Sequence, residues 1–296
     1  MKRICLILII CLLFTGCSAT QKHEKTVYAM DTVMNFTVWG GAAEQACGEL
    51  EALMLLLQQQ YNPQTLNEGQ IQEQQALMDQ ALLLQQRTGG AFDPKLYGVM
   101  QVWGFDTGNY RVPTPEELEN APELWDLGGA VKGYAGDRAV ELLKNMDVDC
   151  ALLNLGGNVQ TYGTKPDGSA WSVGIKDPQG LQDYVAVVQV EGTASIVTSG
   201  DYQRYFQHQG VTYHHIMDPA TGYPAQSGLR SVTIISENGL TADVLSTALF
   251  VMGLERATEF WRSSDDFEAV FVLEDGRIFV TSGVTVSGCT YEVVQK

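Results

Sequence analysis

An aspartate and a threonine stand one turn apart in a predicted helix. The sequence TADVLST at 241–247 separates Asp243 and Thr247 by four residues, so both side chains lie on one helical face. A carboxylate and a hydroxyl are hard oxygen ligands of the kind that Mg²⁺ prefers. Because an aspartate near a first turn also caps helices, the segment alone supports a metal site and a helix cap equally.

A glycine-rich loop with a lysine leads into another predicted helix. Residues 126–134 read DLGGAVKGY, with Lys132 just after the paired glycines. Backbone N–H groups at the start of a helix suit phosphate oxygens, and a lysine adds positive charge. The loop is not a Walker A motif, because Gly133 stands where that motif has Ser or Thr. It indicates a phosphate site only in combination with other signals.

Histidines concentrate in one short region, since three of the chain's 4 histidines lie between positions 208 and 215. His214 and His215 adjoin in a predicted strand, and neighbours in a strand point to opposite faces. We therefore do not expect them to bind one metal ion together. Either is structural or faces a cleft as an acid or base, and the Asp218-Pro219 turn that follows favours the functional role for one of them.

Three more segments are rich in residues that a simple core does not need. They read TGGAFDP at 88–94, NLGGN at 154–158 and TSGDY at 198–202. Paired glycines allow an unusual backbone or a close approach to a ligand, but each segment alone is also compatible with an ordinary turn.

The elements that must position these residues are a mixture of helices and strands. Leucine-rich periodicity predicts helices over residues 42–60, 71–87, 134–146 and 240–252. Strands are predicted over 33–39, 151–155, 184–190, 211–216 and 230–235, and around 270 and 280. Because the two types do not alternate strictly as βαβ units, we predict an α+β fold.

The first residues have the pattern of an export signal. Lys2 and Arg3 precede an apolar run over 4–14 that is too short to span a bilayer as a stable helix. The following LFTGC resembles a bacterial lipobox, in which Cys17 would carry the lipid; the alternative is an ordinary secretory signal with a chance cysteine. We expect a lipoprotein signal peptide at 1–16, a tether at 17–28 and one domain at 29–296.

The charge and the remaining cysteines exclude some classes of function. A formal net charge of -17 argues against nucleic acid or anionic lipid as the main partner, and a phosphate ligand would need local positive charge. Cys47, Cys150 and Cys289 have no metal-type spacing. We expect them to be mostly buried, and the sequence leaves open whether two of them form a disulfide.

Together and in this order, the segments resemble the ApbE family of FAD:protein FMN transferases. The resemblance runs from Met30 to about Gly253 and includes 90–94, 103–105, 126–137, 154–158, 198–202, 213–224 and 242–253. Any one of these segments is a weak signal, but seven in register are very hard to obtain by chance. The resemblance implies a T-fold-like α+β architecture with largely antiparallel sheets.

The resemblance also implies a set of site residues. FAD, as substrate, would lie near Met30, Tyr61, Ala91, Phe92, Asp93, Asp126, Lys132, His215 and Ile216. Mg²⁺ would bind Asp243, Thr247 and the carbonyl group of Gly129, with Ser246 close by. His215 is the candidate base because it directly precedes the turn that the family shares, and His214 would be structural. Lys95, where the family usually has Thr, is a departure from the pattern.

The implied reaction attaches FMN through its phosphate to a Thr or Ser of a partner flavoprotein and releases AMP. Such a transfer needs mainly positioning and charge stabilisation, which Lys132, loop amides and Mg²⁺ would supply. Two alternatives stay open: hydrolysis of FAD to FMN and AMP, and a non-catalytic flavin-binding lipoprotein, against which the pair Asp243 and Thr247 argues. The expected location is the extracytoplasmic face of the cell membrane, through a lipid anchor.

Overall fold

The computed structural model describes residues 21–61 and 71–296. Within them, the helices are α1 (Ala43–Gln60), α2 (Ile71–Arg87), α3 (Tyr97–Trp103), α4 (Pro115–Glu119), α5 (Val131–Leu143) and α6 (Gly239–Arg262). The strands are β1 (Lys22–Ala29), β2 (Thr32–Trp39), β3 (Cys150–Leu155), β4 (Val159–Tyr162), β5 (Trp171–Lys176), β6 (Tyr184–Val190), β7 (Ala194–Gly200), β8 (Tyr205–His208), β9 (Val211–His214), β10 (Leu229–Ser236), β11 (Glu268–Leu273), β12 (Ile278–Thr281), β13 (Thr285–Ser287) and β14 (Glu292–Val294).

The main sheet has nine strands in the order β1-β2-β3-β4-β7-β10-β11-β12-β14. Its pairs are antiparallel except for β12 and β14, which run parallel. A second sheet joins β13, β6 and β5, and β8 pairs with β9 as a separate hairpin. The predicted α+β class with largely antiparallel sheets is confirmed.

Helices cover one face of the main sheet and the small sheet covers the other. Met34, Phe36 and Val38 alternate along β2 and face α1, where Leu50 and Met54 form a buried stripe. The far face carries a separate apolar cluster between the main sheet and the β13-β6-β5 sheet. Both faces of the main sheet are therefore covered by hydrophobic cores.

The three cysteines of the described chain are free thiols. Cys47 belongs to the helix-side core, whereas Cys150 packs in the cluster on the opposite face of the main sheet. The sheet itself separates these two buried thiols, and Cys289, which packs against the same cluster as Cys150, is also free, so none of the three forms the disulfide that the sequence left open.

Helix α6 is the central helix of the fold and packs on β7, β10 and α5. Asn238 caps it, with its side-chain oxygen accepting from the N–H of Thr241 at 2.7 Å. The predicted helix over 240–252 is confirmed to within a residue at its start. A glycine with φ 75° at Gly253 then interrupts the regular backbone before a second helical piece continues to Arg262.

Helices α5 and α6 cap each other. The Asp137 carboxylate of α5 accepts from the N–H groups of Gly239 and Leu240 at 2.6 and 2.9 Å, at the start of α6. In return, Oδ2 of Asp243 in α6 accepts from the N–H of Gly133 at 2.8 Å, at the start of α5. Each helix therefore supplies a carboxylate that accepts from first-turn amides of the other helix. Those amides have no acceptor within their own helix.

Residues 22–28 correct the predicted tether. They belong to β1, which pairs with β2 along its full length from Lys22 to Ala29. Val27 and Ala29 are buried, whereas Lys22, Glu24 and Thr26 are exposed. The polar segment is thus the solvent face of an edge strand, which a sequence pattern easily confuses with a linker.

The signal peptide and Cys17 lie outside the described residues. In the described part of the chain, no helix is both long and apolar enough to cross a membrane.

The helix crossing leaves no room for a side chain on Gly133. A Cβ there would approach the carbonyl oxygen of Gly239 and come within 2.6 Å of Asp243 Cβ. We expect Gly133→Ala to lower the free energy of unfolding by about 1–3 kcal/mol through overpacking. The matched control is Gly48→Ala in α1, where nothing lies within 4 Å and stability should be unchanged or higher by about 0.5–1 kcal/mol. Urea denaturation measures both; equal stability of the two variants would contradict the close crossing.

Candidate active site

The hard-oxygen residues predicted from sequence come together at the helix crossing. Asp243 is buried, at 4% exposed, and one of its oxygens is held by Gly133 N–H. Thr247 lies one turn further along α6, and a Cβ on Gly129 would be 3.5 Å from its hydroxyl. The loop before α5 therefore lies directly over this face of α6.

A further hydroxyl, that of Ser199 on β7, joins this group. Its Oγ lies 2.7 Å from Ser246 Oγ and 3.2 Å from Thr247 Oγ1. The sequence singled out the segment 198–202 without assigning Ser199 a role. Because β7 packs against α6, Ser199 acquires a role: its hydroxyl orients the hydroxyls of Ser246 and Thr247.

This donor set fits a hard cation. Carboxylate, hydroxyl and main-chain carbonyl oxygens suit Mg²⁺, which commonly binds one or two carboxylates and completes its shell with water and substrate phosphate. No group of three His, Cys, Asp or Glu side chains with metal-site geometry exists in the described part of the chain. A metal ion here would therefore depend on hydroxyl, carbonyl and substrate oxygens beside Asp243.

Next to this group, two cations converge on an acid and a histidine. The charges of Arg204 and Lys132 both act on Asp126 and on His215. Burial raises the pKa of Asp126 above its usual value. The N–H of Gly128, 2.9 Å from Oδ1, and the two cations oppose this rise only in part. Among the ion pairs of the described residues, none involves Lys132 or Arg204. Two unpaired cations in so acidic a chain mark an anion site.

Sequence reasoning missed Arg204. Arg204 lies two residues after the TSGDY segment. Its closeness to that segment in sequence was the one signal that could have identified it. Its guanidinium donates to the carbonyl group of Phe105 and lies 6.0 Å from the Phe105 ring centroid.

His215 lies just beyond the end of β9, which stops at His214 rather than at residue 216. Its N–H donates to the carbonyl oxygen of Arg204 at 3.1 Å, and its Nδ1 is 3.2 Å from the same oxygen. Burial first, and then the charges of Arg204, His214 and Lys132, lower the pKa of His215 to about 3. The side chain is therefore neutral at ordinary pH, whereas the sequence suggested a base near its usual pKa of about 6.5.

His214 has the structural environment that the sequence predicted for it. Its Nδ1 accepts from the N–H of Ile216 at 3.2 Å, so Nε2 donates to the carbonyl of Ala225 at 3.1 Å. Burial lowers the pKa of His214, and its ring meets Phe250 edge-on at 5.5 Å. The side chain of Ile216 packs in the hydrophobic core beside α6.

The remaining predicted residues line the helix-side core around the site. Ala91, Phe92 and Tyr61 are buried there, and Tyr61 meets Tyr134 edge-on at 5.9 Å. A Cβ on Gly129 would lie 3.4 Å from the Phe92 ring. Asp93 Oδ1 accepts from the N–H of Lys95 at 2.9 Å, and Asp126 N–H donates to Pro94 at 2.7 Å, which ties the two loops together.

Met30 lies at the tip of the β1–β2 hairpin in a strained conformation. Met30 and Asp31 form the two-residue turn with φ of 51° and 56°, a region that favours glycine. Residues held there often mark a binding site. A Cβ on Gly156 would collide with Thr32, so the NLGGN loop packs directly under this tip.

The other end of that loop reaches the cations. Asn158 lines a small cavity together with Lys132 and Gly133. Its side chain is 6% exposed, and its Nδ2 has no hydrogen-bond partner within the described part. A larger cavity of about 340 Å³, bordered by Asp177 and Arg230, shares none of these residues, so we assign the site by side-chain chemistry rather than by cavity size.

Comparison with known proteins decides the family. The model of the ApbE family matches residues 30–271. The chain belongs to the ApbE family. The resemblance predicted from sequence is therefore confirmed.

Curated relatives of this ApbE family member are named FAD:protein FMN transferase. The one from Treponema pallidum (strain Nichols) is 34% identical over 245 residues, which cover 71% of this chain and 68% of the relative. The one from Klebsiella pneumoniae (strain 342) is 40% identical over 158 residues, covering 53% of this chain but 48% of the relative.

Solved structures agree with this family assignment. The ApbE protein of Thermotoga maritima superposes with a TM-score of 0.76 at 31% identity, covering 87% of this chain and 96% of that one. The apo flavinyl transferase ApbE of Pseudomonas stutzeri gives 0.75 at 27% identity, covering 92% and 95%.

The two histidines should differ sharply in their effect on stability. His214→Ala leaves the Ala225 carbonyl and the Ile216 N–H without their partner, so we expect a loss of about 1–3 kcal/mol in the free energy of unfolding. His215→Ala is the matched control and should cost clearly less, because the His215 ring contacts a single carbonyl oxygen, whereas the His214 ring bridges two main-chain groups. Urea denaturation at pH 7.5 distinguishes them, and the reverse order would overturn the structural role of His214.

Proposed function

We propose that the chain is a Mg²⁺-dependent FAD:protein FMN transferase. It moves FMN from FAD to a Thr or Ser hydroxyl of a partner flavoprotein and releases AMP. One observation carries the proposal: the hard-oxygen group lies next to the two cations. Gly133 donates to Asp243, and the preceding residue, Lys132, is one of the two cations that act on His215. The names of the relatives support the same activity.

Electrostatics favour a diphosphate substrate at this place. The chain has a formal net charge of -17, so a dianionic diphosphate is repelled by the molecule as a whole. Lys132 and Arg204 offset this repulsion locally. The buried amide of Asn158 adds a donor beside Lys132 that is free to bind the substrate.

Magnesium would be held by Asp243, Thr247 and the Gly129 carbonyl group, with Ser246 close by, and would supply Lewis-acid stabilisation of phosphate charge. The protein's own residues bind and orient the substrate around that position. Ser199 keeps the hydroxyls of Ser246 and Thr247 in place through its hydrogen bonds.

The transfer forms one P–O bond and breaks another. The acceptor hydroxyl oxygen bonds to the phosphorus of the FMN half, and the diphosphate P–O bond to AMP breaks, so that AMP leaves with the bridging oxygen. His215 takes the hydroxyl proton, which a neutral imidazole with a free ring nitrogen can accept. With water in place of the acceptor, the same step would give free FMN and AMP.

The proposed function includes a location. Cys17 would carry the lipid after removal of residues 1–16, which anchors the domain to the extracytoplasmic face of the cell membrane. The partner is a flavoprotein exposed on that side, whereas nucleic acid is not expected as a partner.

The direct test incubates the protein with FAD, Mg²⁺ and candidate flavoproteins and looks for an FMN adduct by mass spectrometry. An adduct on Thr or Ser together with AMP supports the transferase. Free FMN and AMP without any adduct would identify a hydrolase instead. Bound FAD without turnover would identify a flavin-binding lipoprotein.

Asp243→Asn isolates the role of the carboxylate charge. Its amide oxygen still accepts from Gly133 N–H, so the helix crossing is kept. We expect transfer to fall on the order of 10²–10³-fold, because a metal's charge stabilisation is worth several kcal/mol. FAD binding should change little, since Lys132 and Arg204 remain. Asp167→Asn, an exposed carboxylate, is the control; undiminished transfer by Asp243→Asn at low Mg²⁺ would rule the metal site out.

Cys17→Ser tests the anchor. The variant should stay unprocessed or leave the membrane fraction, because two acyl chains, at about 0.8 kcal/mol per buried CH₂, are what hold a lipoprotein in the bilayer. Cys11→Ser, within the signal segment, is the control and should fractionate like the wild type. Unchanged migration and fractionation of Cys17→Ser would show that this cysteine carries no lipid.

A further inference from the structure

The hairpin of β8 and β9 brings Arg204 opposite His215. Tyr205 pairs with His214 at the open end of the hairpin, so the residues just outside this pair face each other. The Arg204 carbonyl oxygen then meets two nitrogens of His215, the main-chain N at 3.1 Å and Nδ1 at 3.2 Å. This contact depends only on the main chain of Arg204 and on the register of the hairpin.

The contact fixes the tautomer of His215. A carbonyl oxygen accepts hydrogen bonds but cannot donate them, so the proton of a neutral His215 ring belongs on Nδ1. The lone pair is then on Nε2, the nitrogen at the far side of the ring. In a histidine without such a partner, the proton would be free to move between the two nitrogens.

The side chain of Arg204 anchors the same residue. Its guanidinium donates to the carbonyl group of Phe105, whose ring packs with Phe206 of β8 at 5.8 Å between centroids. No carboxylate forms an ion pair with it in the described part of the chain. Its full positive charge therefore acts on His215, together with those of Lys132 and, when protonated, His214.

We propose that Arg204 is the positioning residue for the proton step: its carbonyl group holds His215 as the Nδ1–H tautomer, and its guanidinium anchors that carbonyl and keeps positive charge beside the ring. This inference rests on the proposed function for its catalytic meaning, but the arrangement itself does not. Nε2 is then available as a proton acceptor even in mildly acid conditions. An isolated histidine would be largely protonated there, because its pKa is about 6.5.

Nitrogen NMR of the full-length protein tests the arrangement without any turnover. The chain has 4 histidines, and His215→Gln assigns the signals of this one. In the wild type, we expect His215 to carry its proton on Nδ1 and not to titrate between pH 5 and 8. In Arg204→Met, the pKa of the ring should rise, because one positive charge is removed while burial is kept, so the ring should become protonated at higher pH than in the wild type. Arg204→Lys, which keeps the charge, should resemble the wild type. A wild-type ring protonated on Nε2, or one that titrates near 6.5, would overturn the proposal.

The pH profile of transfer tests the catalytic meaning. For a base that must be neutral, raising its pKa moves the acid limb of kcat to higher pH. The acid limb of kcat in Arg204→Met should therefore lie at higher pH than in the wild type, because the loss of the Arg204 charge raises the pKa of His215. KM for FAD should also rise in Arg204→Met, because Arg204 belongs to the proposed anion site, so the pH dependence of kcat is the diagnostic readout. Identical profiles for wild type and Arg204→Met would contradict the positioning role.

The two tests separate two kinds of failure. If the wild type gives no FMN adduct with any acceptor, the proposed function fails, and the NMR result still decides whether Arg204 sets the tautomer. If Arg204→Met does not fold, the wild-type spectrum still decides it, because a ring protonated on Nδ1 supports the arrangement and one protonated on Nε2 refutes it.

Discussion

The reciprocal capping of α5 and α6 is the interaction on which the site depends. Asp137 serves the start of α6 and Asp243 serves the start of α5, across a crossing at which Gly133 and Gly239 leave no side chain between the helices. The positive ends of both helix dipoles therefore meet at one point. Each carboxylate is stabilised there by the first-turn amides that donate to it. The helix crossing thus depends on Asp243, the same aspartate that would hold the metal ion.

A second unit completes the site from the other side of the domain. Trp103, Phe105 and Met217 form a small core of their own, and the Trp103 indole donates to the carbonyl of Gly222 at 2.8 Å. This aromatic core fixes the β8–β9 hairpin and the turn after His215. The cation and the histidine that it carries are therefore held by packing that is independent of the helix crossing. Each half of the site thus has its own packed support, which suits a reaction that depends on positioning.

Much of this arrangement could be predicted from the sequence, and the rest could not be for physical reasons. Asp243 and Thr247 belong to one helix, so their shared face follows from local geometry alone. Ser199 and Arg204 acquire their roles through contacts between elements distant in sequence, which periodicity does not specify. Leucine spacing predicts the starts of α1, α2 and α6 to within a residue, whereas α5 begins and ends three residues before its predicted bounds and α6 continues beyond residue 252. The edge strand β1 was mistaken for a tether because a strand buried on one side only has a polar face that resembles a linker.

Strand β1 also has a mechanical consequence. Its eight residues separate the Lys22 end from the Met30 tip by about 27 Å, at roughly 3.4 Å per residue. With the lipid on Cys17, as proposed, the linking segment from Cys17 to Lys22 adds a reach of at most about 17 Å. Together the strand and this segment would then set an upper limit on the distance between the lipid and the Met30 tip. Partner flavoproteins would be selected by the height at which they present their hydroxyl group as well as by the sequence around it.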